Sequence, residues 1–133
     1  MTNLEKVQDI YQAFGAGDIP RIISYLSPSV VWEYGVNSTD VPWLQPRRGS
    51  GDVVNFFESL AALEFHRFVP KHFLSDGDLV VAHIDVEYTV KATGRRVTEE
   101  DEVHIWSFDA SGQVTRFRHR VDTYQQLLAY RPV

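Results

Sequence analysis

Apolar residues at Leu4, Val7, Ile10, Tyr11 and Phe14 recur at helical spacing, which predicts an amphipathic helix over residues 4–14. Thr2 and Asn3 precede it as candidate caps, and Gly15 and Gly17 close it. A second short helix follows, with Asp18 as cap, Pro20 at an early position, and Ile22, Ile23 and Leu26 on one face. Ser27-Pro28 interrupts that pattern, and Val30 to Tyr34 reads as a strand. Residues 35–50 carry no period but much punctuation, which predicts a long loop bearing Trp43 and Leu44. A third helix starts at Ser50 or Gly51 and buries Val53, Val54, Phe56, Phe57, Leu60 and Leu63.

Beyond Leu63 the period changes from helical to alternating. Phe65 to Ser75 is one predicted strand, and Leu79 to Lys91 is the next. In the second, Val80, Ala82, Ile84, Val86 and Tyr88 share a face opposite His83, Asp85 and Glu87. A turn at Thr93-Gly94 leads into Val97 to Phe108, and an Asp-Ala-Ser-Gly turn into a last strand from Val114 to Asp122. Thr123-Tyr-Gln-Gln126 matches a capping box and predicts a short closing helix. The order helix, helix, strand, helix and a four-strand meander is α+β. It implies helices on one face of a curved antiparallel sheet, with a cavity between them. No repeat or linker divides residues 1–133, so one domain is expected.

The final hairpin carries the most chemistry. His104, Trp106 and Phe108 alternate on one strand, and Phe117, His119 and Val121 on the other. Two imidazoles among large aromatics on one sheet face suggest a pocket for an organic ligand. With 133 residues the chain can bury a core without staples, and with no cysteine it has no disulfide, thiol catalysis or thiolate metal site. The net charge of -5 argues against nucleic acid. No apolar run reaches the length of a membrane span, and the first residues lack a signal-peptide layout, so a cytoplasmic protein is expected.

Several stretches together resemble SnoaL-like proteins: Tyr11-Gln-Ala-Phe-Gly-Ala-Gly-Asp18, Val30-Val-Trp-Glu33, Arg48 to Phe57, Ser75 to Val81, and the closing His104 to Thr123. These proteins belong to the nuclear transport factor two-like superfamily, with ketosteroid isomerase, scytalone dehydratase and limonene epoxide hydrolase. The resemblance implies a cone-shaped α+β barrel: a curved antiparallel sheet, three helices in the N-terminal half enclosing a cavity, and a short C-terminal helix. It also implies a homodimer packed through the outer face of the sheet. Aligned on Gly17-Asp18, the isomerase base falls on Tyr34, its oxyanion tyrosine on Ile10 (with Tyr11 one residue away), and its protonated aspartate on His104. The isomerase triad is therefore missing. SnoaL-type cyclases use an acid in the cavity on the late strands, and relatives carry an acidic residue where this chain has His119.

The candidate catalytic residues are His119 as base, His104 as oxyanion donor or acid, and Asp122, whose alternative reading is a helix start. Candidate ligand contacts are Trp32, Tyr34, Trp43, Phe57, Tyr88, Trp106 and Phe117. Trp43 and Leu44 read as a lid or a dimer contact. Alternation sends Glu100 and Glu102 to the side of His104, either as a solvated strand end or with a glutamate orienting the imidazole. His66, His72 and His83 do not make a recognisable metal pattern, and neither metal nor cofactor is expected. Two functions stay open. One is a cavity for a small, largely apolar, oxygen-bearing molecule, with cofactor-free proton transfer of isomerase, cyclase or dehydratase type. The other is a binding or assembly module without chemistry.

Overall fold

The structure is a computed structural model that describes residues 1–33 and 40–132. Helix α1 spans Asn3–Gly15 and starts in a capping box, Thr2 accepting from the Glu5 amide while Glu5 accepts from the Thr2 amide. Its buried stripe is Val7, Ile10 and Ala13. Helix α2 (Ile19–Ile23) is capped by Asp18. Strand β1 (Leu26–Glu33), a turn of 3-10 helix at Pro42–Leu44, strand β2 (Arg47–Arg48) and helix α3 (Ser50–Ser59) follow. Strands β3 (Leu63–Asp76), β4 (Leu79–Val90), β5 (Arg95–Phe108) and β6 (Val114–Arg120) and helix α4 (Thr123–Tyr130) complete the chain.

The described strands form one sheet in the order β2-β1-β6-β5-β4-β3. The meander β3–β6 is antiparallel, as the alternation predicts, but β1 lies parallel to β6. The sheet is thus mixed, because β1 arrives from the helical half of the chain rather than through a hairpin. Leu26 belongs to β1 and not to the second helix. The strand passes through Ser27 and Pro28 in an irregular stretch, where the register jumps from Leu26 opposite Val114 to Val31 opposite Arg116. Proline has no N–H to give a ladder, which is why the strand reads as broken there.

The inward face of β4 is buried from Val80 to Tyr88 at every second residue, as expected. Facing it, α1 and α3 supply aromatic and aliphatic side chains, and the core runs between helices and sheet. The last helix starts one residue earlier than its apparent capping box. Asp122 is the cap and accepts from the Gln125 amide, while Gln125 Nε2 reaches back to the Asp122 carboxylate. Two cap-competent residues are adjacent here, and the carboxylate suits the positive end of the helix better than the threonine hydroxyl.

Candidate functional site

The site grows from the pairing of β5 with β6. His104 lies opposite His119, and Trp106 opposite Phe117, so four predicted site residues share one inward patch. Trp32 of β1 stacks on Phe117 with ring centroids 4.1 Å apart. Tyr11 of α1 sits over the patch, edge-on to Trp106 and stacked against His104. Among these rings is a cavity of about 80 Å³. Trp32, Trp43, Phe57, Tyr88, Trp106, Phe117, His104 and His119 all line it. Tyr34 lies outside the described residues.

A bulge in β5 decides which acids face this cavity. Ile84 of β4 lies opposite Glu102 and Val86 opposite Glu99, so β5 spends one extra residue here. Asp101 takes it up at φ 63, in the left-handed region. The alternation resets across the bulge: Glu99 and Glu102 are both buried, and Glu100 is exposed. The expectation that Glu100 shares the face of His104 fails for this reason. The solvated strand end fails with it for Glu102, which is 6% exposed.

Glu102 is the centre of the polar cluster. Its Oε2 is 2.9 Å from His104 Nε2 and its Oε1 3.2 Å from His119 Nε2. On the far side of His104, Nδ1 is 2.6 Å from the Tyr11 hydroxyl, which also accepts from Trp106 Nε1–H at 3.1 Å. Burial alone would push the Glu102 carboxyl up. Electrostatic attraction to His119 and hydrogen bonds from both imidazoles outweigh it and hold the group below the usual carboxylate range. Burial, reinforced by His119, depresses His104 to about 4, so this ring is neutral at ordinary pH. An ionised Glu102 needs Nε2–H from His104, which leaves Nδ1 as acceptor for the Tyr11 O–H. Burial also raises the Tyr11 phenol well above its ordinary value, which keeps it a donor.

A second polar group adjoins the first. Glu99 Oε1 accepts from Gln126 Nε2 at 2.8 Å and from the Asp122 amide at 3.1 Å. Gln126 Oε1 accepts in turn from Trp43 Nε1–H at 2.8 Å. Burial and the neighbouring Glu102 charge raise Glu99 to about 7. Trp43 is therefore neither lid nor exposed dimer contact. It is 3% exposed, an inner wall tied to α4.

Asp122 stands apart: its side chain is exposed and caps α4, and it does not line the cavity. His66 is exposed and bonds Thr89, while His72 and His83 are cross-strand neighbours. The grouping that brings three metal-type donors within 4.8 Å is instead Glu102, His104 and His119. There both Nε2 atoms are already engaged with the carboxylate, so the three close upon one another. Sequence reading named His104 and His119, and Glu102 as an alternative. It missed Tyr11 as a partner of His104, because that contact joins residues 93 positions apart. It missed Glu99 and Gln126 because the bulge and the cap register hid their inward direction.

The comparisons agree with this architecture. Residues 7–117 match the SnoaL-like domain. The chain belongs to the SnoaL-like family. A protein of unknown function with the nuclear transport factor two-like fold, from Burkholderia pseudomallei, is 24% identical with a TM-score of 0.87, over 99% of this chain and 100% of its own. TerC, co-crystallised with polyporic acid, is 25% identical with a TM-score of 0.81, over 96% of each chain. A protein from Mesorhizobium loti assigned as a SnoaL-like polyketide cyclase is 21% identical with a TM-score of 0.74, over 91% of this chain and 100% of its own. No curated protein matches the chain in sequence. Among the described residues no helix of this SnoaL-like domain is long and apolar enough to cross a membrane.

Proposed function

We propose that this SnoaL-like domain binds a small, largely aromatic, oxygen-bearing molecule and moves a proton at a carbon next to its carbonyl, without a cofactor. One observation carries the reading: a buried carboxylate, Glu102, takes hydrogen bonds from two imidazoles at the wall of an aromatic cavity. His119 is the base. With Nε2–H held by Glu102, its lone pair is on Nδ1, and the imidazolium formed on taking a proton is stabilised by the carboxylate. The C–H electron pair moves into the carbonyl to give an enolate, and the same imidazolium returns the proton to carbon or oxygen. His104 is a positioning residue: Tyr11 on one nitrogen and Glu102 on the other fix its ring, and the ring fixes the carboxylate. The co-crystallisation of TerC with polyporic acid supports an aromatic, oxygenated ligand class.

The test is hydrogen–deuterium exchange at the acidic C–H of 2-tetralone in D2O, followed by NMR. Wild type is expected to accelerate exchange, and His119→Ala to lose about 10²-fold or more of that acceleration. Binding of 2-tetralone without any acceleration would leave the non-catalytic alternative, a binding module of the same fold.

We also propose a homodimer through the outer face of the sheet. Leu74, Val81 and Ile105 form a cross-strand row on the side away from the cavity, and Leu74 is 58% exposed. Light scattering on wild type and Leu74→Glu tests it, with the variant expected to shift toward monomer.

A further inference from the structure

The cavity holds a polar group that the proton-transfer cluster does not use. Tyr88 lines it from the far end of β4, opposite Val97 and beyond Glu99 along the sheet, and is 3% exposed. Its hydroxyl has no hydrogen-bond partner among the described residues. The groups around it are committed elsewhere. The Trp43 N–H lies beside the ring but donates to Gln126 Oε1 at 2.8 Å. Glu99 Oε1 takes Gln126 Nε2 and the Asp122 amide. Whatever the indole lends to the Tyr88 oxygen, the Tyr88 O–H proton has no acceptor among the described residues. A buried hydroxyl left unsatisfied costs the folded chain free energy, so the Tyr88 O–H is placed to gain from an acceptor that the chain itself does not supply.

Resting on the proton-transfer reading above, we propose that Tyr88 is a second anchoring point, donating a hydrogen bond to an acceptor oxygen of the ligand remote from the atoms that His119 and Glu102 serve. The ligand class is thereby narrowed. It is an aromatic molecule with two oxygen functions, one at the reacting end and one carbonyl- or ether-type acceptor at the other. A hydrocarbon or a mono-oxygenated ring entering the same site leaves the Tyr88 proton unpaired. Burial keeps the phenol protonated, so the anchor is a donor across the working pH range. Discrimination of this kind is strong because the wrong ligand strands a buried polar group.

The probes are 2-naphthol and three acetyl-2-naphthols with the carbonyl at position 6, 7 or 8, titrated by fluorescence into wild type, Tyr88→Phe and His119→Ala. For at least one acetyl isomer, wild type is expected to bind about tenfold more tightly than it binds 2-naphthol, and Tyr88→Phe to remove that gain while binding 2-naphthol unchanged. Free Tyr88→Phe is expected to melt no lower than wild type, which separates loss of an anchor from loss of the fold. If no acetyl isomer gains over 2-naphthol in wild type, or if Tyr88→Phe keeps the gain, the anchor is overturned while the proton-transfer reading stands. If wild type binds none of the four, both are overturned. If His119→Ala binds all four like wild type and Tyr88→Phe loses the gain, the anchor holds and the role of His119 in ligand contact fails.

Discussion

Glu99 and Glu102 point into the same interior although they stand three apart on one strand, because Asp101 between them absorbs a residue in a left-handed turn of the backbone. A regular strand would put them on opposite faces. The bulge is held from outside. The Asp101 amide donates to Asp85 Oδ1, and Lys71 Nζ bridges Asp85 at 2.9 Å and Asp101 at 2.7 Å.

Asp101→Gly should therefore melt within a few degrees of wild type. It loses an exposed ion pair worth about 0–1 kcal/mol and relieves a left-handed residue. Asp101→Val should cost about 1–2 kcal/mol, since a β-branched side chain resists that backbone region. Thermal unfolding of the pair checks this, and equal midpoints would mean that the backbone at Asp101 is not constrained as described.

Glu99 gives a pH dependence of unusual sign for an acid. Its folded value, about 7, lies above the ordinary 4.5, so the folded state holds the proton more tightly than the unfolded chain. Its contribution to stability is complete below about pH 4.5 and is lost as pH climbs through 7. Glu99→Gln keeps one acceptor oxygen for Gln126 and for the Asp122 amide but never ionises. The variant should match wild type at pH 4.5 and melt higher at pH 8, read from melting midpoints across that range.

His104 works in the opposite direction. Its folded value, about 4, lies below the ordinary 6.5, so the neutral ring contributes stability that is full above about pH 6.5 and fades as pH falls toward 4. Nitrogen NMR of labelled histidine should find this ring neutral at pH 6 with the proton on Nε2. A protonated His104 at that pH would contradict its burial between Tyr11 and Glu102.

Glu102→Gln replaces the shared acceptor by an amide that can accept from only one of the two imidazoles. The 2-tetralone exchange rate should fall by about 10²-fold, with fold and cavity retained. Tyr11→Phe removes the donor to His104 Nδ1 and should cost less, since it disturbs orientation and not the proton acceptor. The ratio of the two variants' rates measures how far positioning contributes.

The fold was legible because most of the chain keeps a clean period. The α1 stripe from Val7 to Ala13 and the inward row from Val80 to Tyr88 need only local spacing to be recognised. The patch of His104, Trp106, Phe117 and His119 was legible for the same reason, since a tight hairpin sets its register. What escaped is where local rules compete. Nothing in Thr98-Glu-Glu-Asp-Glu102 marks which residue bulges, so the parity of Glu99 was unreadable. Pro28 disguised the start of β1, and the choice between Asp122 and Thr123 as cap turned Gln126 inward against expectation. Trp43 was named as a cavity contact, but its place as an inner wall escaped because it depends on Gln126, 83 residues away.

The parallel pairing of β1 with β6 has a consequence for how the molecule comes into being. Trp32 meets Phe117, and Val31 meets Arg116, only after about 85 further residues have been made. The β3–β6 meander can form from neighbouring hairpins, but β1 must wait for β6 to arrive. One wall of the chamber thus rests on a pairing that spans most of the chain, and on the ribosome β1 has no β6 partner until the chain is nearly finished. A ligand present at that moment would meet an unfinished wall, and a chain stalled there would expose its stickiest surface.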